Sequence, residues 1–163
     1  MTCELATEHV DVTADGVTFQ ILGDLPVPVR YAAVAALGTK VYAIGGTTTG
    51  NASGAVRAVQ ALDTATGTVT LVGSLPQPLT DAVAATVGGH IYVFGGQLAG
   101  HISNQVWRLD VDPGAATPIA LTPVATLGTP VTDAAIAVLN GVAYLVGGES
   151  PAILPTITTL EVR

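Results

Sequence analysis

Three segments of the chain end in the same way: Lys40-Val41-Tyr42-Ala43-Ile44-Gly45-Gly46, His90-Ile91-Tyr92-Val93-Phe94-Gly95-Gly96 and Val142-Ala143-Tyr144-Leu145-Val146-Gly147-Gly148. The double glycines are offset by 50 and then 52 residues, and each tyrosine stands four residues ahead of the second glycine. Over the 21 positions that end there, 26–46 and 76–96 share 8 identities, and 76–96 and 128–148 share 9. Self-similarity at a fixed period of this length marks one supersecondary unit used repeatedly, each copy burying its apolar face against the next.

Each copy reads as four short antiparallel strands. The two-residue breaks Gly38-Thr39, Gly88-Gly89 and Asn140-Gly141 divide a small-residue run (32–37, 82–87, 134–139) from the tyrosine segment. Gly-Gly and Asn-Gly favour the positive φ angles of tight hairpin turns, so each break joins two strands. A polar loop after each double glycine leads to a third strand ending in an acid (59–63, 106–110, 158–161). Turns at 64–67 and 111–115 then lead to fourth strands at 68–72 and 119–124. Ahead of the first copy, 17–22 reads as a fourth strand, with a partial third strand expected around 8–12. No segment longer than ten residues carries a 3.6-residue apolar period unbroken by Gly or Pro, so the expected fold class is all-β. Valine at Gly141 is expected to strain its turn, whereas valine at Gly54, in a polar loop, is expected to cost little.

Composition narrows the chemistry. Only 10% of the residues are charged and 49% are hydrophobic, with a net charge of −7. One Lys and four Arg cannot neutralise a row of phosphates, which excludes nucleic acid as a partner. No run of 18 continuous apolar residues is present to form a membrane-spanning helix. A single cysteine, Cys3, allows neither an internal disulfide nor a cysteine metal cluster. His9, His90 and His101 fall at unrelated positions of the period, so they do not converge as metal ligands. There is no Gly-x-Ser-x-Gly elbow, and no helix start follows the double glycines as a phosphate loop would require. No catalytic residue, metal or cofactor is therefore expected.

The strand ending Ile/Val-Tyr-x-x-Gly-Gly, followed by a third strand that closes on an apolar residue and an acid (Leu62-Asp63, Leu109-Asp110, Leu160-Glu161), resembles the kelch repeat. The resemblance covers residues 8 to 163 and implies a β-propeller of four-stranded antiparallel blades. Its Ala-rich runs suit the innermost strands, where taper demands small side chains. The fourth-strand Trp usual in the family is missing, and Trp107 lies in a third strand instead. In this fold Gly45, Gly46, Gly95, Gly96, Gly147 and Gly148, with Tyr42, Tyr92 and Tyr144, are structural positions. The expected division is a lead-in over 1–16 with a partial strand, then three kelch-like blades over 17–163 with repeats at about 26–75, 76–127 and 128–163. From residue 17 the strand count is one, four, four and three, which makes about three blades, half of a six-bladed ring. Closed propellers carry roughly four to eight blades. The chain is therefore expected either to close its ring as a homodimer or to be part of a longer propeller.

In kelch-type binders the loops entering the innermost strands and the loops after the double glycines share one face. The resemblance thus points to Arg30, Tyr31, Thr80, Asp81, Thr132 and Asp133 from the first set, and Thr47, Gln97 and Glu149 from the second, as binding residues. Alternatively, the Thr and Asp side chains cap strand ends by bonding local backbone. The expected function is a non-enzymatic module that binds a protein, peptide or glycan on this face. One alternative is a sugar-processing enzyme resembling the kelch-fold neuraminate epimerases; the equivalent settings expected for Asp81 and Asp133 argue against it, because acid–base chemistry wants unlike ones. Another is a purely structural part of a larger propeller. The Thr- and Ala-rich, Lys-poor composition suits an exported or cell-envelope bacterial protein.

Overall fold

The structure, a computed structural model, describes residues 6–111, 119–150, 152–153 and 157–161. Cys3 and most of the predicted turn 111–115 lie outside them. Thirteen strands carry the fold: β1 (His9–Val12), β2 (Gln20–Asp24), β3 (Ala33–Leu37), β4 (Lys40–Ile44), β5 (Ala58–Asp63), β6 (Val69–Ser74), β7 (Val83–Val87), β8 (His90–Phe94), β9 (Gln105–Asp110), β10 (Ala120–Thr126), β11 (Ala135–Leu139), β12 (Val142–Val146) and β13 (Ile157–Glu161). Two-residue strands and a single 3-10 turn, Ala52–Gly54, decorate the loops. The chain is all-β, and among the described residues no helix is long and apolar enough to cross a membrane.

Strands β3-β4-β5-β6 form blade 1, β7-β8-β9-β10 form blade 2, and β11-β12-β13 form blade 3, each an antiparallel meander. The hairpin turns are as the dipeptides require: Asn140 and Gly141 have φ of 52° and 78°, and Gly88 and Gly89 have 57° and 79°. At Gly38-Thr39 only the glycine is positive, at 61°, which suits a turn needing one such residue.

At the start of the chain the difference lies in where the strand expected at residue 17 begins. Residues 17 and 18 are not strand: the Asp15 carboxylate accepts hydrogen bonds from the backbone N–H groups of Val17 and Thr18, both at 2.8 Å, and holds them in a turn. The strand therefore begins at Gln20, and β1 pairs with it along its whole length. This hairpin is the outer half of a blade. Its pairing is bulged between Val10 and Asp11, as β5 is between Val59 and Gln60 and β9 between Val106 and Trp107. A leucine follows each pair and donates its N–H at 2.7 Å across to the approach of the third strand: Leu25 to Glu8, Leu75 to Arg57 and Leu127 to Asn104. Among the described residues the strand count is two, four, four and three.

Two cores hold the blades together, one at each junction. Ala33, Ala35, Tyr42, Ile44 and Val59 of blade 1 pack against Ala84, Ile91, Val93, Trp107 and Leu109 of blade 2. Ala85, Val87, Tyr92, Phe94 and Val106 of blade 2 pack against Val131, Ala143 and Leu145 at blade 3, with Ile136 alongside. Alanine on the inner strands lets neighbouring blades approach, and each large side chain buried this way contributes roughly 1.5–3 kcal/mol. Trp107 thus fills the junction of blades 1 and 2 from a third strand.

The double glycines are splices between blades. Gly45 has φ of +65°, and a Cβ there would collide with the Leu79 carbonyl of the segment entering blade 2; Gly95 stands in the same relation to the Val131 carbonyl. The following glycine then donates its N–H across the junction, Gly46 to Leu79 at 2.8 Å and Gly96 to Val131 at 2.7 Å. Only a residue without Cβ permits both the angle and the approach.

Candidate functional site

Within each blade, the residue before the inner strand pairs with the residue after the double glycine: Arg30 with Thr47, Thr80 with Gln97, and Thr132 with Glu149. These short pairings, a two-residue ladder at Thr80–Gln97 and single bridges at the other two, bring the entry loop and the loop beyond the tyrosine strand to one end of the sheet stack. The next residue in each entry loop, Tyr31, Asp81 or Asp133, takes a left-handed conformation with φ of 56°, 56° and 53°. Such angles are uncommon for residues with a Cβ, and cost on the order of 1–3 kcal/mol unless the surroundings hold them. Here the backbone holds them: Asp81 N–H donates to the Tyr31 carbonyl and Asp133 N–H to the Asp81 carbonyl, both at 3.1 Å. The three residues are linked in series across the three blades.

Their side chains meet in one open recess of about 520 Å³, lined by Tyr31, Asp81, Gln97, Asp133 and Glu149 together with Gly50, Asn51 and Ala52. Five of the nine binding residues read from the sequence are therefore gathered in one place. The other four are not. Thr47, Thr80 and Thr132 are buried and out of reach of a ligand. Their work is internal: the Thr47 hydroxyl donates to the Asn51 carbonyl at 2.7 Å and the Thr132 hydroxyl to the Glu149 carbonyl at 3.4 Å. Arg30 turns its guanidinium over the Tyr31 ring, 5.0 Å from its centre, and lines a separate groove beside the β1–β2 hairpin. Asn51 was not foreseen. It projects from the loop between β4 and β5, where its side chain accepts from Ser53 N–H at 3.0 Å and caps the 3-10 turn. An Asn placed two residues before Ser in a polar loop is the local signal for such a cap.

Backbone capping accounts for Thr47 and Thr132, but not for Thr80 or the aspartates. Asp63 accepts the backbone N–H of Ala65 at 3.0 Å, as a capping aspartate does. Among the described residues neither Asp81 nor Asp133 accepts a backbone N–H through its carboxylate. The Asp81 carboxylate instead takes a hydrogen bond from the Gln97 amide at 3.2 Å. Asp81 and Asp133 were expected to sit in like settings, and they do not. Asp81 is partly buried, and that burial, with the charge of Asp133 as a second cause, raises its pKa above the ordinary carboxylate value. The Thr80 hydroxyl, buried without a well-aligned partner, lies close enough to favour the ionised form and opposes the rise. Asp133 is exposed. The backbone repeats around the blades, while the side-chain environment depends on the neighbour that each blade has.

Compared with known protein families, residues 28–76 and 78–112 each match the kelch motif, and together they cover more than half of the chain. The chain belongs to the kelch-repeat family. The two matched segments span blade 1 and the first three strands of blade 2. Blade 3 continues the kelch architecture with the same hairpin, double glycine and left-handed entry residue. No curated protein matches the chain. Among the described residues of this kelch protein, no group of three or more His, Cys, Asp and Glu side chains is arranged to hold a metal ion.

Proposed function

We propose that this kelch module is a non-enzymatic binding module that takes a protein, peptide or glycan on its loop face, in the recess between Tyr31, Asp81, Gln97, Asp133 and Glu149. The observation that carries this reading is the convergence of side chains from three separate blades, each set by a strained, hydrogen-bonded backbone. Binding residues concentrate on loops fixed by a rigid scaffold, and left-handed non-glycine residues persist where the surroundings impose them. Tyr31 is half exposed and offers a flat ring for stacking. Asp133 and Glu149 accept hydrogen bonds, and Gln97 offers both a donor and an acceptor. That set suits a basic side chain of a peptide or the hydroxyls of a sugar. Nuclear magnetic resonance titration of the labelled chain with an arginine-containing tripeptide and with a neutral trisaccharide tests it. Shifts confined to the amides of residues 30–31, 80–81, 97 and 132–133 are expected with one of the two probes. Unmoved loop-face amides with both probes at millimolar concentration would remove the reading.

One observation favours the second reading, a sugar-processing enzyme resembling the kelch-fold neuraminate epimerases. Two neighbouring carboxylates in unlike settings, one with a raised pKa, are what general acid–base chemistry uses. Equilibration of N-acetylneuraminic acid epimers no faster with the protein than in buffer would dispose of it. Acceleration that disappears in Asp81→Asn would instead displace the binding-only reading.

A further inference from the structure

The junction between blades is built twice from the same parts, and the same parts stand open at both ends of the stack. In each junction the second glycine donates to the segment entering the next blade, and the left-handed entry residues are joined in series. Carried one repeat further, the corresponding groups are Gly148 N–H with the Val29 carbonyl, and Tyr31 N–H with the Asp133 carbonyl. Among the described residues none of these four groups has a backbone partner. Each donor at one end has its acceptor at the other.

The apolar positions extend the same rule. Blade 2 receives blade 1 with Ala84, Ile91, Val93 and Leu109. The positions equivalent to these in blade 1 are Val34, Val41, Ala43 and Leu62, and they line a groove of about 370 Å³ between blade 1 and the β1–β2 hairpin. Blade 2 meets blade 3 with Val87, Tyr92, Phe94 and Val106, all at most 5% exposed. The equivalents on the inner strands β11 and β12 are Leu139, Tyr144 and Val146; of these Leu139 is 62% and Val146 43% exposed. The outgoing face of blade 3 is therefore shaped like the faces that this chain already packs onto surfaces like that of its own groove.

We propose that a second copy of this chain docks there head to tail, its β11 and β12 entering the groove beside β1, so that two copies close one six-bladed ring. The groove already holds the outer half of a blade, β1 and β2, and lacks the inner half that β11 and β12 supply. Strands β1 and β13 occupy the same place in a blade, so the composite blade β11–β12–β1–β2 forms as β13 yields the edge of β12 to β1 of the partner subunit. Such a dimer has a twofold axis, and its interface consists of two identical junctions, each joining the outgoing face of one copy to the groove of the other. It also completes the loop face, placing Tyr31 of the partner subunit beside Asp133.

Sedimentation velocity on the full chain, from 1 to 100 μM, tests the proposal with two exposed positions, Val34→Lys on the receiving face and Val146→Lys on the outgoing face. The wild-type chain should be a dimer in this roughly micromolar range. Either variant alone should weaken association at least ~100-fold, because each puts an unpaired ammonium into both junctions. Each substitution also lowers the net negative charge of −7, so the loss cannot come from added repulsion. An equal mixture of the two variants should recover a dimer, since one junction then has two unaltered faces. A wild-type monomer throughout the range overturns the proposal, as does a dimer indifferent to one of the two variants, which would mark a face-to-face contact. Circular dichroism unchanged from wild type confirms that the variants are folded.

Discussion

Asp81 and Asp133 share a backbone angle and a place in the repeat, yet their carboxylates meet different surroundings. Asp81 lies between blades 1 and 3, with Gln97 donating to it and Asp133 beside it. Its pKa is raised, first by burial and then by that neighbouring charge. An acid with a raised folded-state pKa favours the fold while it is protonated. Its contribution is present below the unfolded value of about 3.9 and is lost as pH rises through the higher folded value. Asp81→Asn removes this loss while keeping an oxygen for Gln97. The variant should therefore gain stability relative to wild type as pH rises from about 3 to 7. Urea titrations across that range check it, and a difference between the two proteins that is flat with pH would count against the assignment.

The strands were legible because their signals are local. The repeated Tyr-x-x-Gly-Gly segments, the dipeptides at 88–89 and 140–141 and the acids closing the third strands placed most elements within about two residues, the usual margin for strand ends. The fourth strand before blade 1 was placed three residues early, since the Asp15 turn absorbs Val17 and Thr18 through hydrogen bonds that hydrophobicity does not report. Gly54 shows the same limit. It belongs to a 3-10 turn, and a Cβ there would collide with the Thr47 and Thr49 side chains. The expectation that valine costs little at Gly54 is thereby withdrawn. Gly141, with φ of 78° and open space around it, suffers from angle alone. Gly141→Val and Gly54→Val should each destabilise by about 1–2 kcal/mol, the first through backbone strain and the second through crowding. Guanidinium denaturation of both variants measures this, and a negligible loss at Gly54 would show that its loop yields.

Across the whole molecule, stability should be graded. Repeat proteins behave as sums of units and nearest-neighbour junctions, and among the described residues blade 2 has a buried core on each side. In β8, Ile91 to Phe94 are all buried, whereas β1 and β2 are largely exposed. Hydrogen exchange in dilute protein should therefore protect the amides of β8 and β9 at least ~100-fold more than those of β2. Equal protection would mean that the stack opens as one unit. Residue order alone carried the repeat, the four-strand blade, the hairpin turns and the entry residues at offsets of 50 and 52, because each depends on a residue and its near neighbours along the chain. Tertiary structure decided the rest. It chose which of the nine candidate residues face the recess, made Asp81 unlike Asp133 and left Leu139 and Val146 of blade 3 exposed. Those outcomes depend on which blade stands beside which, and contacts between residues about 50 apart leave no trace in local pattern.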